Sequence, residues 1–307
     1  MNYYLGIDGG GTKTELVLAN QVKKVVAKIQ TGPTSLVAVG EDQAKKNLIQ
    51  GISDLFTQAK QEEDVEIKTA VMGLASIDSN EEERQAGLIF QPVFSKFEID
   101  QFTVMSDAVI ALVNGTDRED AIVLIAGTGS NCYGENRVGE TAKASGLDYL
   151  LADQGSAYDV GCKVLRSAAK SFDGRGPKTV LEKKACQYFQ VEKVYQIKEK
   201  IYRPSLNKTQ IAKLAQICLE ALEQNDQVAQ AIFEWEAKEL WTMVETVAAE
   251  LNFSNIRFDL ILEGSMAQSA QMVKFLSQQL HDYNQEAEII LPHQSSVYGA
   301  LKLAYQH

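Results

Sequence analysis

The sequence predicts an α/β protein of two similar units, with a helical insertion in the second. A strand pattern that enters a turn of glycine and hydroxyl residues occurs near residue 9 and again near residue 127. Strand-like and helix-like patterns also alternate on both sides of a mainly helical stretch at about 155–252. Such alternation is typical of layered α/β folds with parallel strand pairs, and a repeated supersecondary unit indicates duplication.

In the first half, apolar runs and amphipathic stretches follow one another in order. We predict strands near 3–8, 14–19, 24–30, 67–73 and 101–105, and helices near 41–60, 80–90 and 107–114. Ser79 followed by Glu82 predicts a capping box at the second helix. The acidic run Glu81-Glu82-Glu83 is favourable at a solvated helix N-terminus, so we do not interpret it as a binding or catalytic site.

In the second half, predicted strands at 121–126, 130–134 and 137–144 precede the helical stretch, whose longest patterns cover 208–223 and 226–252. This stretch is typical of a lid or cap domain, or of a helical layer that forms a dimer contact. Strand 257–263, helix 268–283, strand 286–291 and a helix from about 295 complete the pattern. The polar, glycine-containing link at 114–117 predicts a boundary between lobes 1–116 and 117–293.

Composition narrows the function classes. The 307 residues carry a net charge of −11 and contain 45% hydrophobic residues, which is typical of a soluble globular protein. Because no Lys/Arg-rich block occurs, nucleic-acid binding is not expected. No apolar run is long enough to span a bilayer, and no signal-peptide pattern opens the chain, so we expect a cytoplasmic protein. The four widely spaced cysteines and three histidines do not form a zinc or redox motif.

The first turn offers a site for phosphate. An apolar run leads to Asp8, three glycines and Thr12 follow, and a second apolar run begins at Leu16. Glycines let backbone N–H groups approach an anion closely, and a carboxylate at the strand end can hold a hydrated Mg²⁺ that accompanies phosphate. An ordinary glycine-rich hairpin is the alternative interpretation.

The second turn favours the phosphate interpretation. Gly127, Gly129 and Ser130 repeat the positions of the first turn, while Ala126 replaces the acid. Two such turns, one in each unit, are a recurring way to hold ATP in a cleft between lobes. Phosphoryl transfer then requires mainly positioning and electrostatic stabilisation.

The motifs at 8–14, 126–131 and 151–158 together resemble those of the N-acetylglucosamine kinases and the wider BadF/BadG-type ATPase family, within the actin–hexokinase–Hsp70 superfamily. The resemblance runs from residue 3 to about 304. It implies a two-lobed actin/hexokinase-like fold with ribonuclease H-like lobes. It also implies that the final helix, 294–307, packs back on the first lobe, and that the protein forms a homodimer.

Asp107 is the candidate catalytic base. An apolar strand ends just before it and a helix begins, which is where open α/β sheets bind ligands. A sugar hydroxyl is a poor nucleophile, so a kinase places a carboxylate beside it to accept the proton. The residue pattern alone fits a helix N-cap equally well, and the resemblance favours the base.

The resemblance also assigns the nucleotide site. Asp8 would act on Mg²⁺ through water, and the strand ending at Glu263 would present a small-residue turn to adenosine. Lys13 fits a phosphate contact or a solvated hairpin lysine. The predicted ATP-binding residues are Gly10, Gly11, Thr12, Lys13, Thr128, Gly129, Gly264 and Ser265.

For the sugar, the resemblance implies contacts at Thr34 or Ser35 and at Ser76, Asp107, Asn131 and Asp153. The alternative for Asp153 is again a helix N-cap. The chain departs from the family pattern where Asn, Trp, Glu and Gly are usual. This chain has Thr34 or Ser35 in place of Asn, Leu147 in place of Trp, Gln154 in place of Glu and Ser265 in place of Gly.

The sequence thus predicts an ATP-dependent kinase acting on the 6-hydroxyl of an amino sugar. N-acetylglucosamine is the first expectation, and N-acetylmuramic acid and glucosamine stay open. Two other functions are considered. One is an ATPase that activates an acyl-CoA reductase or dehydratase through an iron–sulfur cluster, which needs cluster cysteines. The other is a non-catalytic sugar or nucleotide sensor, which would have no use for Asp107.

Overall fold

Two five-stranded sheets form the framework of the computed structural model, which describes residues 2–59 and 65–306. The first sheet and its helices comprise β1 (Asn2–Gly9), β2 (Thr14–Asn20), β3 (Val25–Thr31), α1 (Leu36–Val39), α2 (Glu41–Gln58), β4 (Glu66–Leu74), α3 (Asn80–Lys96), β5 (Phe102–Ser106) and α4 (Asp107–Gly115). The end of the helix predicted at 41–60 lies outside the described residues.

The second sheet begins with β6 (Ala121–Ala126), β7 (Ser130–Glu135) and β8 (Thr141–Ser145). A helical segment follows, with α5 (Asp148–Leu151), α6 (Ala157–Asp173), α7 (Val180–Phe189), α8 (Val194–Tyr202), α9 (Lys208–Ala212), α10 (Ala215–Glu223) and α11 (Gln227–Glu250). After a 3-10 turn (Phe253–Asn255) come β9 (Asp259–Glu263), α12 (Ala270–Tyr283), β10 (Glu288–Ile290) and α13 (Val297–Ala304).

The two sheets have the same topology. Their strand orders are β3-β2-β1-β4-β5 and β10-β9-β6-β7-β8. In each sheet the central strand pairs antiparallel with the next strand in sequence and parallel with a later one, β1 with β4 and β6 with β9. The predicted duplicated, two-lobed α/β fold is therefore confirmed.

Each sheet buries one face against its own helices. Side chains of β1 such as Leu5 and Ile7 join those of α2 and α3 in one core. The outer face of β6, with Ile122 and Leu124, packs on α11, α12 and the helical segment. The period-2 alternation of the strands leaves the opposite face of each sheet for α4 and α13.

The helices α4 and α13 lie on these remaining faces. α13 packs on β1 and β2 through Val297 and Leu301, and on α4 through Ala300 and Ile110. On its other side, α4 packs on β6 and β9. Glycines permit this close approach, because a Cβ on Gly6 would lie 2.6 Å from the Val297 carbonyl oxygen. A Cβ on Gly299 would overlap the Ile110 carbonyl oxygen.

Most local predictions hold, although the strand predicted at 137–144 begins only at Thr141, after a turn. Ser79 caps α3 and bonds with Glu82, as predicted. The single helix predicted at 208–223 is wrong, because α9 stops at Ala212. The turn between α9 and α10 closes with tight i→i−3 bonds, including Leu214 N–H to the Ile211 carbonyl. Across the described residues, the helices are too short or too polar to cross a membrane.

The contact between α13 and α4 makes Gly299 a sensitive position. We expect Gly299→Ala to lower the free energy of unfolding by about 3 kcal/mol. The added methyl group would collide with the backbone carbonyl of Ile110, which cannot rotate away as a side chain could. Gly87→Ala in α3 is the matched control, since a Cβ there meets nothing within 4 Å. It should raise the free energy by about 0.5–1 kcal/mol. Urea unfolding measures both, and equal effects would contradict the packing described.

Candidate nucleotide and sugar site

The first turn is held by backbone bonds. The Gly10 N–H donates to the Lys13 carbonyl at 3.0 Å, and the Gly10 carbonyl accepts from the N–H groups of Thr34 and Ser35. Gly9 must lack a side chain, because a Cβ there would overlap the Thr34 hydroxyl. The tip, residues 11–13, is exposed. The turn therefore presents backbone rather than bulky side chains.

The second turn is braced by an acid. The Gly127 N–H donates to the Gly129 carbonyl at 2.9 Å, and the Ser130 N–H donates to Asp153 Oδ1 at 2.8 Å. A Cβ on Gly129 would lie 2.8 Å from the same oxygen. Asp153 is not a helix N-cap, since Ser156 caps α6. Asp153 instead fixes the shape of the turn.

The start of α9 brings the two turns together. Thr209 Oγ1 lies 3.4 Å from Thr12 Oγ1 of the first turn. The neighbouring Lys208 Nζ lies 3.1 Å from the Cβ position of Gly129 in the second turn, and forms an ion pair with Asp153 Oδ2 at 2.6 Å. The two turns therefore lie on either side of the start of α9.

Sequence reasoning missed Lys208 and Thr209. They begin a five-residue helix at the start of the stretch that we predict as one periodic helix, 208–223. Nothing in their spacing marks them, and only the tertiary fold places them between turns that are far away in sequence.

Carboxylates converge beside the first turn. Burial, together with the charges of Asp107, Glu15 and Glu263, raises the pKa of Asp8 from 3.8 to about 7, while Lys13 acts in the opposite direction. Glu15 and Glu263 were not predicted as site residues. The hairpin register places Glu15 opposite Asp8, and Glu263 ends a predicted strand, so both had a sequence signal.

Asp107 is the first residue of α4. Burial raises its pKa to about 6, and the backbone N–H groups of Ala108 and Asp107 itself act in the opposite direction. The helix cap is Ser106, whose side chain accepts from the Ala108 N–H at 3.4 Å. The N-cap alternative for Asp107 is therefore not what the structure shows.

Lys13 is held within the first lobe. Its Nζ lies 2.5 Å from Glu15 Oε1, and Ser295 Oγ donates to Glu15 Oε2 at 2.7 Å. Burial alone would raise the pKa of Glu15, but the bonds from Lys13 and Ser295 bring it below its usual value. Glu15 is therefore a charged neighbour of Asp8.

The residues predicted to contact the sugar differ in their burial and in the hydrogen bonds that they already form. Asn131 Oδ1 is buried, without a hydrogen-bond partner among the described residues. Ser76 is exposed, in the left-handed region with φ of 66°. Ser35 is buried and caps α1, where its hydroxyl accepts from Ala38 N–H. Asp153 already binds Ser130 and Lys208.

The turn after β9 packs directly on the second turn. The N–H groups of Met266 and Ala267 donate to the Ala126 carbonyl at 2.9 and 3.1 Å. Gly264 has φ of 91°, and a Cβ there would lie 2.5 Å from the same carbonyl oxygen. Ser265 does not have a positive φ. Serine therefore fits at the second position, where the family usually has glycine.

The cysteines are scattered. Cys132 lies on β7 and Cys218 on α10, both buried, and burial raises the pKa of each thiol. Cys162 and Cys186 lie inside α6 and α7. Within residues 2–59 and 65–306, no three His, Cys, Asp or Glu side chains form a group that could bind a metal directly.

Solved structures share this fold. A protein from Chromobacterium violaceum superposes with a TM-score of 0.77 at 19% identity, covering 98% of each chain. A ROK family glucokinase from Streptomyces griseus, solved with glucose and AMPPNP, superposes with a TM-score of 0.61 at 16% identity, covering 99% of this chain and all of its own (100%).

Sequence relatives and a family model cover the same length. A Clostridium acetobutylicum protein named N-acetylmuramic acid/N-acetylglucosamine kinase is 30% identical over 305 residues, 99% of this chain and 98% of its own. A Dictyostelium discoideum N-acetyl-D-glucosamine kinase is 26% identical over 94% of this chain and 92% of its own. The model of the BadF/BadG/BcrA/BcrD ATPase family matches residues 5–304. The chain belongs to the BadF/BadG/BcrA/BcrD ATPase family.

Proposed function

We propose that this protein is an ATP-dependent kinase that phosphorylates the 6-hydroxyl of an amino sugar, N-acetylglucosamine first. One observation carries the proposal. The partly buried carboxylate of Asp107 raises the pKa of Asp8, and the two glycine turns that flank these acids both approach the start of α9. The names of the two sequence relatives support the choice of an amino sugar.

The nucleotide phosphates would lie between the turns. Backbone N–H groups and hydroxyls there are donors that oriented glycine turns commonly offer to phosphate. The proposed contacts are Gly10, Gly11, Thr12, Thr128 and Gly129, with Lys13 at the edge. The adenosine would lie on the turn at Gly264 and Ser265, whose backbone packs on the second turn.

The carboxylates at Asp8 fit a divalent cation. Glu15, Asp107 and Glu263 add negative potential where burial already disfavours charge. We assign Asp8 to Mg²⁺ through water, as the family resemblance implies, the mode in which Mg²⁺ keeps part of its hydration shell beside phosphate. When bound, Mg²⁺ would neutralise charge on the β- and γ-phosphates.

Asp107 would act as the general base. Its pKa of about 6 leaves it largely ionised at pH 7–8, yet basic enough to accept a proton. The sugar 6-oxygen attacks the γ-phosphorus, its proton passes to Asp107, and the bond to the ADP oxygen breaks. The backbone N–H groups at the start of α4 orient the carboxylate for this transfer.

The sugar would contact Ser35, Ser76, Asp107, Asn131 and Asp153. N-acetylmuramic acid and glucosamine are further candidate substrates.

The proposal includes closure of lobes 1–116 (with helix 294–307) and 117–293, which excludes water from the phosphate. It also includes a cytoplasmic homodimer. The scattered cysteines favour this kinase over an iron–sulfur activator, and sugar-dependent ADP formation separates it from a sensor.

Asp107→Asn tests the base. We expect kcat with N-acetylglucosamine and Mg-ATP to fall by about 10²- to 10⁴-fold, the usual contribution of a positioned base. Sugar binding should change far less, because the amide keeps the shape of the carboxylate. Asp100→Asn, at an exposed position, is the control. Coupled ADP release and detection of the sugar phosphate measure both variants, and near-normal turnover in Asp107→Asn would remove it from this role.

The same base predicts a pH profile. Since burial places the pKa of Asp107 at about 6, kcat/KM of the wild type should fall about tenfold per pH unit below pH 6. A profile that stays level down to pH 4.5 would show that no such base limits the reaction.

Asp8→Asn tests the buried charge at the cation site. Because the folded pKa of Asp8 is about 7 against 3.8 unfolded, the native state binds more protons between those values. Stability of the metal-free protein is therefore lost as pH rises from about 4 to 7. At pH 8 the penalty is at most on the order of 4 kcal/mol.

We expect Asp8→Asn to raise the melting temperature at pH 8 while abolishing most activity. At pH 4 the gain should largely disappear, because the wild-type carboxyl is then protonated. Differential scanning fluorimetry without Mg²⁺ measures this, with Asp100→Asn as control. A variant that melts lower than the wild type at pH 8 would show that Asp8 is not an unfavourable buried charge.

A further inference from the structure

Lys143 lies on the face of the second sheet that is turned toward the cleft. On the paired strands β7 and β8, Lys143 lies opposite Tyr133, and Ser145 opposite Asn131. Directly opposite residues of an antiparallel pair, and residues two apart on one strand, share a face. Tyr133 packs with residues of α4, the helix that begins at Asp107. The lysine therefore belongs to the same surface as Asn131, the proposed sugar contact.

The ammonium group is largely shielded from water. The Lys143 side chain is 24% exposed, and burial lowers its pKa to about 8. Its ion-pair partner is Asp78, which follows β4 and belongs to the other lobe. Asp78 is fixed in turn by its N–H, which donates to Glu82 at 2.8 Å. A buried cation is unfavourable unless it is paired, so the Lys143 ammonium group needs a carboxylate beside it.

Lys143 and Asn131 both pack closely against Gly146. Asn131 Oδ1 and Lys143 Nζ lie 2.9 and 3.0 Å from the Cβ position that a side chain at Gly146 would occupy, so they are at most about 6 Å apart. Gly146 has φ of 84°, and these distances are shorter than an ordinary Cβ contact, so only glycine fits between the two side chains. An unpartnered amide oxygen and a cation thus lie beside the same glycine.

A neutral amino sugar needs no cation here. N-acetylmuramic acid differs from N-acetylglucosamine by a lactyl ether, whose carboxylate lies two bonds beyond the ether oxygen. That group could reach a lysine that neighbours a sugar-binding amide. The Clostridium acetobutylicum relative is named for both sugars, which is consistent with a site that serves an acidic and a neutral substrate.

We propose that Lys143 binds the carboxylate of an acidic, ether-substituted amino sugar, and that Asp78 holds the lysine in place until that carboxylate replaces it. This inference rests on the proposed kinase function and names a specificity-determining residue within it. With a neutral sugar, the Asp78–Lys143 pair stays intact and joins the two lobes. With the acidic sugar, the substrate takes over the ion pair.

The test compares two sugars in each variant. We expect Lys143→Met to lower the ratio of kcat/KM for N-acetylmuramic acid to kcat/KM for N-acetylglucosamine by about 10- to 100-fold, the usual worth of a hydrogen bond to a charged group. Using the ratio cancels general damage to the cleft, and turnover of the neutral sugar shows that the variant is folded. Lys238→Met, at an exposed position on α11, should leave the ratio unchanged.

Asp78→Asn is the complementary variant. Because it removes the competing carboxylate but keeps its shape, we expect the same ratio to rise. The inference is overturned if Lys143→Met and Asp78→Asn lower both sugars equally, since the pair would then serve only to join the lobes. If the wild type phosphorylates neutral amino sugars but not N-acetylmuramic acid, the inference alone fails. If it phosphorylates neither, the kinase proposal fails as well.

Discussion

Negative charge concentrated at partly buried positions beside the first glycine turn is the constraint on which the rest of the structure depends. Asp8 ends its strand among three other acids, and Asp107 begins α4 nearby. Neither gains enough from neighbouring donors to offset burial, so both carboxyls have raised pKa values. A folded protein retains such an arrangement at a cost in stability, and sites with strongly perturbed carboxylates are candidates for catalysis or ion binding.

The fold holds these charges in position through close backbone contacts. α13 returns from the end of the chain to pack on β1, the strand of Asp8, and on α4, the helix of Asp107. Gly6 and Gly299 make that approach possible. A side chain at either position would collide with the backbone of the neighbouring element. The strands that carry Asp8 and lead to Asp107 are held side by side through their shared neighbour β4.

Patterns within a few residues were enough to predict the turns and the strand-to-helix junction that carry the candidate site, and the roles of their residues stay predictions. The glycine turns, the strand end at Asp8 and the strand-to-helix junction at Asp107 are visible in the sequence because their chemistry is local. Lys208 and Lys143 were not predicted, because their neighbours are distant in sequence. The fold places Lys208 beside Gly129 and pairs Lys143 with Asp78. The break after Ala212 was also missed, because the apolar period continues across it.

Proton release on nucleotide binding tests the central claim most directly. Asp8 should be about half protonated at pH 7, and a magnesium nucleotide bound beside it should lower its pKa. Calorimetric titration of Mg-ADP in buffers of different ionisation enthalpy counts these protons. We predict release of about half a proton per nucleotide at pH 7 and almost none at pH 9. Binding without proton release at pH 7 would contradict the account, because the cation would then lie away from Asp8.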